Sequence, residues 1–419
     1  MEYGLIGEKL EHSFSKAIHE RIAPYTYDLC PLNKDEFAAF MKQRDFRAIN
    51  VTIPYKQAVL PYVDELDEHA KAIGAVNTIV NRKGRLYGYN TDVSGFLYMV
   101  RHHNIIMKDK KVIVLGNGGA SKAIQAAIQQ EQAKTMVVVD ISLSKDSISY
   151  EECYANHSDA SIIINTSPVG MYPNITQSPI DLTRFPSCTC VMDVVYNPIL
   201  TKLCFDAQEL GMQRVNGLEM LIAQAVYAAS LFLDKKFDEA IIDTIFRDLQ
   251  YQTCNIVLIG MPSAGKTTIG RMLEEKLHKP FIDLDDVIVE KAGKSIPEIF
   301  AENGEEGFRK LETEAAIELS KLCGHVIATG GGTIKKKINM DYLRLNGITI
   351  FIDRDVQKLI SSDPNRPLSE SQEALKQMHT ERLPLYHTYA EHVVLNNADI
   401  ADTLRQVLDA YQKVLLAAA

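Results

Sequence analysis

The chain has 419 residues, of which 46% are hydrophobic and 24% charged, and it carries a formal net charge of −9. This length predicts two or three domains, and the composition is typical of an ordinary globular protein. The acidic balance argues against nucleic acid or an anionic membrane as the main partner, and no apolar run is long enough to span a membrane.

Strand-like and helix-like segments alternate along the chain. The N-terminal half reads EYGLIG then SKAIHERIA, RAINVTI then YKQAVLPYVDEL, and KKVIVLG then ASKAIQAAIQQ. This alternation predicts an α/β protein with mostly parallel sheets. The segment FDEAIIDTIFRDLQ has apolar residues spaced four apart, which predicts a helix, and the strand NIVLI follows it directly. We therefore expect a domain boundary near residue 250, without a flexible linker.

Polar side chains follow several strands of the N-terminal half. INVTIPYK contributes Asn50, Thr52 and Lys56, GAVNTIV contributes Asn77, and GYNTD contributes Asn90, Thr91 and Asp92. Amides, hydroxyls, one amine and one carboxylate together predict a pocket for a polyhydroxylated acid with a proton donor. The alternative is that Lys56 lies on a solvated face and that Asp92 is the N-cap of a helix.

A glycine-rich loop, GNGGA at 116–120, follows the apolar segment VIVL. It departs from the G-x-G-x-x-G spacing, but a strand before it and a helix after it favour a dinucleotide loop over an ordinary turn. Asp140 ends the next strand, 24 residues after Gly116. An acidic residue there accepts a hydrogen bond from the ribose 2′-hydroxyl of NAD and repels the 2′-phosphate of NADP.

Residues 1 to about 245 resemble the shikimate dehydrogenases along their whole length. The matching segments are HSFS, NVTIPYK, AVNTI, YNTD, the glycine loop, NTSPVGM, YNP and GLEMLIAQA. The resemblance implies a two-lobed unit over 1–250. Its α/β substrate lobe takes about 1–93 and is completed by helices of about 218–250. Its Rossmann-type dinucleotide lobe takes about 94–217.

The resemblance also implies roles for single residues. Lys56 would donate the proton as a hydride reaches the 3-keto carbon of 3-dehydroshikimate, and Asp92 would hold Lys56 in place. The substrate-binding residues implied are Ser13, Ser15, Thr52, Asn77, Asp92 and Gln224, with Tyr196 close by. The cofactor-binding residues implied are Gly116, Asn117, Gly118, Gly119, Ala120, Asp140 and Gly217.

The choice between NADP and NAD depends on the segment VVVDISLSK. NADP-preferring relatives carry an Asn-Arg-Thr type segment here, and Ile141 occupies the position of the arginine. We expect NAD to be accepted at least as well as NADP. Two alternatives remain open: Ser142, Ser144 and Lys145 bind a phosphate, or Asp140 is a turn or cap residue.

The second half opens with GMPSAGKT, which fits the phosphate-binding pattern G-x-x-x-x-G-K-[ST] between a strand and an amphipathic helix. In this pattern Lys266 reaches the β- and γ-phosphates of ATP and the Thr267 hydroxyl binds Mg²⁺. The nucleotide-binding residues expected here are Gly260, Ser263, Ala264, Gly265, Lys266, Thr267 and Thr268.

Charged residues and glycines follow the phosphate loop in a specific order. FIDLDD contains Asp283 and Asp285, GEEGFRKLE contains Arg309 and Glu312, and VIATGGG ends at residue 332. DPNRPL and ERLPLY add one arginine each. Each feature alone has an ordinary interpretation as a surface ion pair, a tight turn or a helix-face arginine.

Residues 255 to about 415 resemble shikimate kinase, a P-loop phosphotransferase, so the second domain would cover 251–419. The resemblance implies that shikimate is held by Asp285, Arg309, Gly331 and Arg382. It places Asp283 at the Mg²⁺ shell and Arg366 against the transferred phosphoryl group and nucleotide. One departure concerns adenine: the family has an arginine shortly before the RP segment, whereas this chain has only Lys358 nearby.

The two resemblances together predict a bifunctional enzyme that makes shikimate and then phosphorylates it. Two alternatives remain: a non-catalytic nucleotide-binding P-loop module, and a dehydrogenase acting mainly on quinate. Seven scattered cysteines and the absence of a signal-peptide pattern predict a cytoplasmic protein with reduced thiols. We expect small-molecule substrates, no nucleic acid and no membrane as partners, and the sequence contains no signal for the oligomeric state.

Overall fold

The computed structural model describes residues 1–10, 13–359 and 372–418. The chain divides into two compact units. Unit 1 comprises Met1–Asn197 and Thr201–Phe246, and unit 2 comprises Pro198–Leu200 and Arg247–Ala419. Among the described residues, no helix combines the length and the apolar character that a membrane span requires.

Unit 1 begins with a six-stranded mixed sheet in the order β2-β1-β3-β5-β6-β4. Its strands β1 to β6 are Tyr3–Gly7, Asp28–Pro31, Ala48–Val51, Glu65–Leu66, Thr78–Arg82 and Arg85–Tyr89. Helices α1 to α4 of this region are Ser15–Ile22, Lys34–Gln43, Glu68–Ile73 and Thr91–His102. Most strand pairs of the protein are parallel, as expected, and the antiparallel pairs among the described strands lie in this sheet. Strand β5 is antiparallel to β3, and it is antiparallel to β6 through a β-hairpin.

The hairpin turn explains the antiparallel pair. Lys83 and Gly84, which connect β5 to β6, both have positive φ, at 56° and 87°. Two consecutive residues with positive φ form the tight turn that matches the twist of antiparallel strands.

A second sheet of unit 1 is fully parallel, in the order β11-β10-β9-β7-β8. Strands β7 to β11 are Lys111–Leu115, Thr135–Val139, Ile162–Asn165, Cys190–Asp193 and Gln213–Val215. Helices α5 to α9 are Gly119–Gln130, Tyr150–Asn156, Lys202–Glu209, Leu218–Leu233 and Ala240–Thr253. The glycine loop follows β7. The next strand, β8, lies on one side of β7 and the following strand, β9, lies on the other side, so the strand order reverses at β7. Open α/β sheets bind ligands at such a switch point.

Unit 2 contains a five-stranded parallel sheet in the order β13-β14-β12-β15-β16. Strands β12 to β16 are Asn255–Ile259, Phe281–Asp283, Val326–Ala328, Gly347–Asp353 and His392–Leu395. Helices α10 to α15 are Lys266–Leu277, Leu284–Ala292, Ile296–Leu319, Lys337–Leu343, Gln372–Tyr389 and Ile400–Ala418. Every residue of β12 is buried, as expected for a central parallel strand covered on both faces. The phosphate loop follows this strand.

All seven cysteines are free thiols, five of them buried and Cys30 and Cys323 half-buried. Burial raises the pKa of each thiol, to about 12 for Cys190, Cys204 and Cys254. The native thiols are therefore weakly ionised, and a thiol is a poor nucleophile.

Candidate active sites

Lys56 and Asp92 form an ion pair in unit 1. Lys56 Nζ donates to Asp92 Oδ2 at 2.7 Å, and the two side chains are 16% and 8% exposed. The N-cap of α4 is Asn90, whose side chain accepts from the backbone N–H of Asp92. The alternative that placed Lys56 on a solvated face and Asp92 at the cap is therefore wrong.

Asn77 holds the other oxygen of the carboxylate. Its Nδ2 donates to Asp92 Oδ1 at 2.8 Å and to Thr91 Oγ1 at 3.1 Å, while its Oδ1 accepts from the Thr91 backbone N–H. Thr91 Oγ1 in turn lies 3.4 Å from Gln224 Oε1 of α8. The structure thus brings Lys56, Asn77, Asp92 and Gln224 into one connected group.

A chain of buried hydrogen bonds connects Asn77 of this group to Thr78, Asn50 and Tyr27. Thr78 Oγ1 donates to Asn77 Oδ1 at 2.9 Å and accepts from Asn50 Nδ2 at 3.0 Å. The Tyr27 hydroxyl donates to Asn50 Oδ1 at 2.7 Å. The ring of His19 stacks on Tyr27 with centroids 4.0 Å apart, and burial lowers the pKa of His19 to about 3, so its imidazole is neutral.

The remaining predicted substrate residues lie in two places. Ser13 and Ser15 are hydrogen-bonded to each other at 3.1 Å, and the ring of Phe14 between them packs 5.4 Å from the ring of Tyr196. Thr52 directly follows β3, and its backbone N–H donates to Ile6 O.

The glycine loop lies beside the ion pair. A Cβ at Gly119 would lie 3.6 Å from Lys56 Cδ, so the start of α5 and the predicted proton donor are neighbours. Gly118 is the N-cap of α5. Gly116 has a φ of 95°, and Gly217 leaves no room for a side chain, because a Cβ there would lie 2.1 Å from Val194 O. The positive φ of Gly116 fits the tight turn that opens a dinucleotide-binding loop.

The segment after β8 has features of both cofactor alternatives. Asp140 Oδ1 accepts from the Ser142 backbone N–H at 2.7 Å, so the carboxylate stabilises a turn. Asn117 Nδ2 of the glycine loop donates to Ser144 Oγ at 3.2 Å, which places this serine beside the loop. Ile141 is 89% exposed.

In unit 2 the phosphate loop has the backbone that its pattern requires. Gly260, Ser263 and Gly265 have φ of 150°, 63° and 98°. Lys266 Nζ donates to the carbonyls of Gly260 and Met261, both at 2.9 Å, and so lies over the loop.

Thr267 and Asp283 lie together, as a metal site at the loop would require. Thr267 Oγ1 donates to Asp283 Oδ2 at 2.9 Å. A hydroxyl and a carboxylate are hard oxygen ligands, the type that Mg²⁺ prefers, so the two residues fit the ion that accompanies ATP.

The three consecutive glycines after β14 allow three charged side chains to approach. A Cβ at Gly330 would lie 2.9 Å from Asp285 Oδ1, and one at Gly332 would lie 2.4 Å from Arg309 Nη2. Arg382 Nη1 donates to the carbonyl of Gly331 at 2.8 Å. Asp285, Arg309 and Arg382 therefore surround one short segment, as the sequence predicts.

Arg309 is held by two carboxylates. Its Nη1 donates to Glu312 Oε2 at 2.9 Å, and its Nη2 donates to Glu305 Oε1 at 3.1 Å. Two residues of the site were not predicted from the sequence. Thr333 donates to Glu312 Oε1, and Tyr386 donates to the carbonyl of Gly331.

Two further observations concern the nucleotide side of unit 2. Arg366 lies outside the described residues. Lys358 Nζ donates to the carbonyl of Asn397 at 2.6 Å, whereas Arg354, which directly follows β15, donates to the carbonyl of Ser263 in the phosphate loop at 3.3 Å.

Comparison with known proteins identifies both units. The shikimate dehydrogenase substrate binding domain matches residues 5–79, and shikimate kinase matches residues 262–412. The shikimate dehydrogenase (NADP(+)) of Clostridium beijerinckii is 33% identical over 261 residues, which cover 58% of this chain and 96% of that protein. The chain belongs to the shikimate dehydrogenase family. Its C-terminal part is a shikimate kinase domain, so the chain is a bifunctional enzyme of the shikimate pathway.

Solved structures of the family agree with this assignment. A chorismate mutase/shikimate 5-dehydrogenase fusion protein from Clostridium acetobutylicum is 35% identical, with a TM-score of 0.56 over 59% of this chain and 96% of that one. Quinate dehydrogenase from Corynebacterium glutamicum in complex with NAD is 29% identical, with a TM-score of 0.53 over 59% of this chain and 99% of that one. Both predicted resemblances and the predicted fold class are confirmed. The predicted domain bounds and the roles of individual site residues stay predictions.

Proposed function

We propose that the first unit reduces 3-dehydroshikimate to shikimate and that the second unit phosphorylates the 3-hydroxyl of shikimate. The observation that carries the first step is the Lys56–Asp92 pair, held by Asn77 and placed beside Gly119 of the glycine loop. A proton donor next to a dinucleotide loop is the arrangement that reduction of a ketone to an alcohol requires.

A reduced nicotinamide cofactor held at the glycine loop would supply the hydride for the 3-keto carbon. The developing alkoxide takes a proton from the Lys56 ammonium group. Asp92 keeps Lys56 in position, and Asn77 keeps Asp92 in position. Assistance of this type typically contributes about 10²–10⁴-fold to the rate. Ser13, Ser15, Thr52, Tyr196 and Gln224 bind the hydroxyl and carboxylate groups of the substrate.

The cofactor of this step is NADP or NAD. The turn at Asp140 places a carboxylate at the end of β8, which favours NAD. Ser144, bonded to Asn117, and the neighbouring Lys145 favour a 2′-phosphate. We keep the prediction that NAD is accepted at least as well as NADP, since no arginine follows β8.

In the phosphorylation, Arg309 and Arg382 bind the carboxylate of shikimate. Guanidinium groups suit this task because they donate two parallel hydrogen bonds to one carboxylate. Asp285 accepts from a hydroxyl of the acceptor. Lys266 neutralises charge on the β- and γ-phosphates, Thr267 and Asp283 hold Mg²⁺, and Arg366 stabilises the transferred phosphoryl group.

A coupled assay tests both steps at once. The full chain is supplied with 3-dehydroshikimate, NADPH or NADH, and Mg-ATP, and the products are separated and identified by mass spectrometry. We expect shikimate 3-phosphate. If shikimate accumulates and ATP is not consumed, the second unit is a nucleotide-binding module without kinase activity. If quinate is oxidised faster than shikimate in the reverse assay, the first unit is a quinate dehydrogenase.

A further inference from the structure

Two imidazoles and a carboxylate converge in unit 1, away from the Lys56–Asp92 pair. His102 is the last residue of α4, His103 is its C-cap, and Glu219 lies in the first turn of α8. His102 Nδ1 lies 2.9 Å from Glu219 Oε1, and His103 Nε2 lies 2.6 Å from Glu219 Oε2. One ligand atom from each residue lies within 4.8 Å of the other two. We call these three residues the His-His-Glu cluster.

Helix electrostatics explains why each residue type is tolerated where it stands. Carboxylates are favoured at the start of a helix and imidazolium groups at the end. Helix electrostatics does not explain why both rings reach one carboxylate. Consecutive residues of a helix point about 100° apart, because a turn contains 3.6 residues. Here His103 leaves the helix at the C-cap, with φ −87° and ψ 8°, so that its Nε2 meets the same group as His102 Nδ1.

The cluster is held in place by its surroundings. The His103 backbone N–H donates to Met99 O at 3.1 Å, and its carbonyl accepts from Gln213 Nε2 at 3.0 Å. The ring of His102 packs 5.5 Å from the ring of Tyr98, whose hydroxyl donates to Asp243 Oδ1.

The carboxylate is fixed by burial. The Glu219 side chain is only 5% exposed, and helix α8 lies so close to α4 that a Cβ at Gly95 would lie 2.8 Å from Met220 O. Side chains that are already held rigidly lose little conformational freedom when they bind a ligand.

We propose that the His-His-Glu cluster is a binding site for a zinc ion. Two imidazole nitrogens and one carboxylate oxygen are a known type of three-ligand zinc site, with water as the fourth ligand. Ligand atoms about 2.0–2.1 Å from a tetrahedral ion lie about 3.3 Å apart. The two nitrogen–oxygen contacts of 2.9 Å and 2.6 Å would lengthen slightly, and the widest separation in the cluster, which is at most 4.8 Å, would shorten to hold the ion. Mg²⁺ and Ca²⁺ prefer oxygen ligands and are disfavoured by the two nitrogens.

A bound ion would join the end of α4 to the start of α8. The same two helices carry Asp92, at the start of α4, and Gln224, on α8. The ion would therefore stabilise the helix pair on which part of the dehydrogenase site is built, without being a reactant there. Ligand binding to the folded state alone raises the apparent stability of the protein.

The test uses the full chain without a histidine tag, freed of metal by dialysis against a chelator. Excess Mg²⁺ is present to occupy the Thr267–Asp283 site. Co²⁺ is added as a spectroscopic substitute for Zn²⁺, and its visible absorption is followed to saturation. Zn²⁺ is then added to displace it. We expect one Co²⁺ per chain, with no thiolate charge-transfer band, and complete displacement by Zn²⁺.

Matched variants assign the ion to the cluster. His103→Gln and Glu219→Gln should each weaken Co²⁺ binding at least tenfold, whereas His69→Gln, at an exposed histidine of α3, should leave it unchanged. Zn²⁺ should also raise the Tm of the wild type and leave the Tm of His102→Gln unchanged. His102 is partly exposed, so this variant serves as the test if Glu219→Gln does not fold.

Three outcomes would overturn the proposal. They are the absence of saturable Co²⁺ binding, a thiolate band that assigns the ion to cysteine, and equal affinity in the wild type and in His102→Gln and His103→Gln.

Discussion

Thr78→Val is expected to slow the dehydrogenase and to leave the kinase unchanged. Thr78 is fully buried, and its hydroxyl lies between Asn50 Nδ2 at 3.0 Å and Asn77 Oδ1 at 2.9 Å. Valine has nearly the same shape and replaces the hydroxyl with a methyl group. The variant therefore breaks the chain of hydrogen bonds behind Asp92 and leaves the packing volume almost unchanged.

The size of the effect follows from the bonds that are lost. The buried hydrogen bonds to Asn50 and Asn77 disappear, as does the 3.3 Å contact with Thr91 Oγ1, and Asn50 Nδ2 keeps only its contact with the Asn77 carbonyl at 3.2 Å. Each bond contributes about 0.5–1.5 kcal/mol, and an unsatisfied buried donor costs about 1–3 kcal/mol. We expect the free energy of unfolding to fall by roughly 2 kcal/mol. If the same energy is lost in positioning Asp92 and Lys56, kcat of the dehydrogenase falls about tenfold to thirtyfold.

Both activities are measured on one preparation, so that the kinase serves as the internal control. Urea inactivation curves for the two reactions report the stability of each unit separately. Thr78→Ser keeps the hydroxyl and should retain kcat, at a stability cost of about 1 kcal/mol for the lost methyl group. The reasoning is refuted if Thr78→Val keeps kcat within twofold, if Thr78→Ser is equally impaired, or if kinase activity falls in parallel.

Four further predictions concern single side chains. Lys56→Ala should abolish reduction and spare the kinase, and Lys266→Ala should do the reverse. Loss of both rates in either variant would contradict independent action of the units. Arg382→Lys should raise the KM for shikimate in the kinase reaction, because an ammonium cannot make a two-pronged carboxylate contact; an unchanged KM would remove Arg382 from the acid pocket. Asp140→Asn should raise kcat/KM for NADP relative to NAD, and a strong wild-type preference for NADP that the substitution does not alter would contradict our view of Asp140. Burial raises the pKa of Asp193 from 3.8 to about 7, so its contribution to stability is full below pH 3.8 and is lost as the pH rises toward 7. The free energy of unfolding of the wild type should therefore decline by on the order of 4 kcal/mol over this pH range, and Asp193→Asn should remove the decline. Equal pH slopes of Tm for the two proteins would show that Asp193 has no such effect.

The fold was predictable wherever the sequence signal is local. Apolar strands followed by glycine loops and helices predicted the parallel sheets, because buried parallel strands read as continuous apolar runs. The β5–β6 hairpin escaped prediction. Its turn residues, Lys83 and Gly84, are a weaker turn signal than Asn-Gly. No local pattern in the sequence indicates that β5 pairs with β3 in the antiparallel direction.

The dehydrogenase site residues Lys56, Asn77 and Asp92 were predictable from the sequence, whereas the buried hydrogen bonds that hold them in place were not. Lys56, Asn77 and Asp92 stand in motifs that end strands, so their types and positions indicated the chemistry. The bond from Tyr27 to Asn50 joins residues 23 apart that meet only because β1 pairs with both β2 and β3. A contact created by strand order has no signature in the residues themselves.

The buried thiols make this chain a convenient background for chemical labelling. Maleimides react with thiolates, and all seven native thiols are held largely protonated. A cysteine introduced at Ile106 in unit 1 or at Ile338 in unit 2, which are 71% and 40% exposed, would react first. A fluorescent donor and acceptor placed on these two positions would report the distance between the dehydrogenase and the kinase during turnover, with no native cysteine removed.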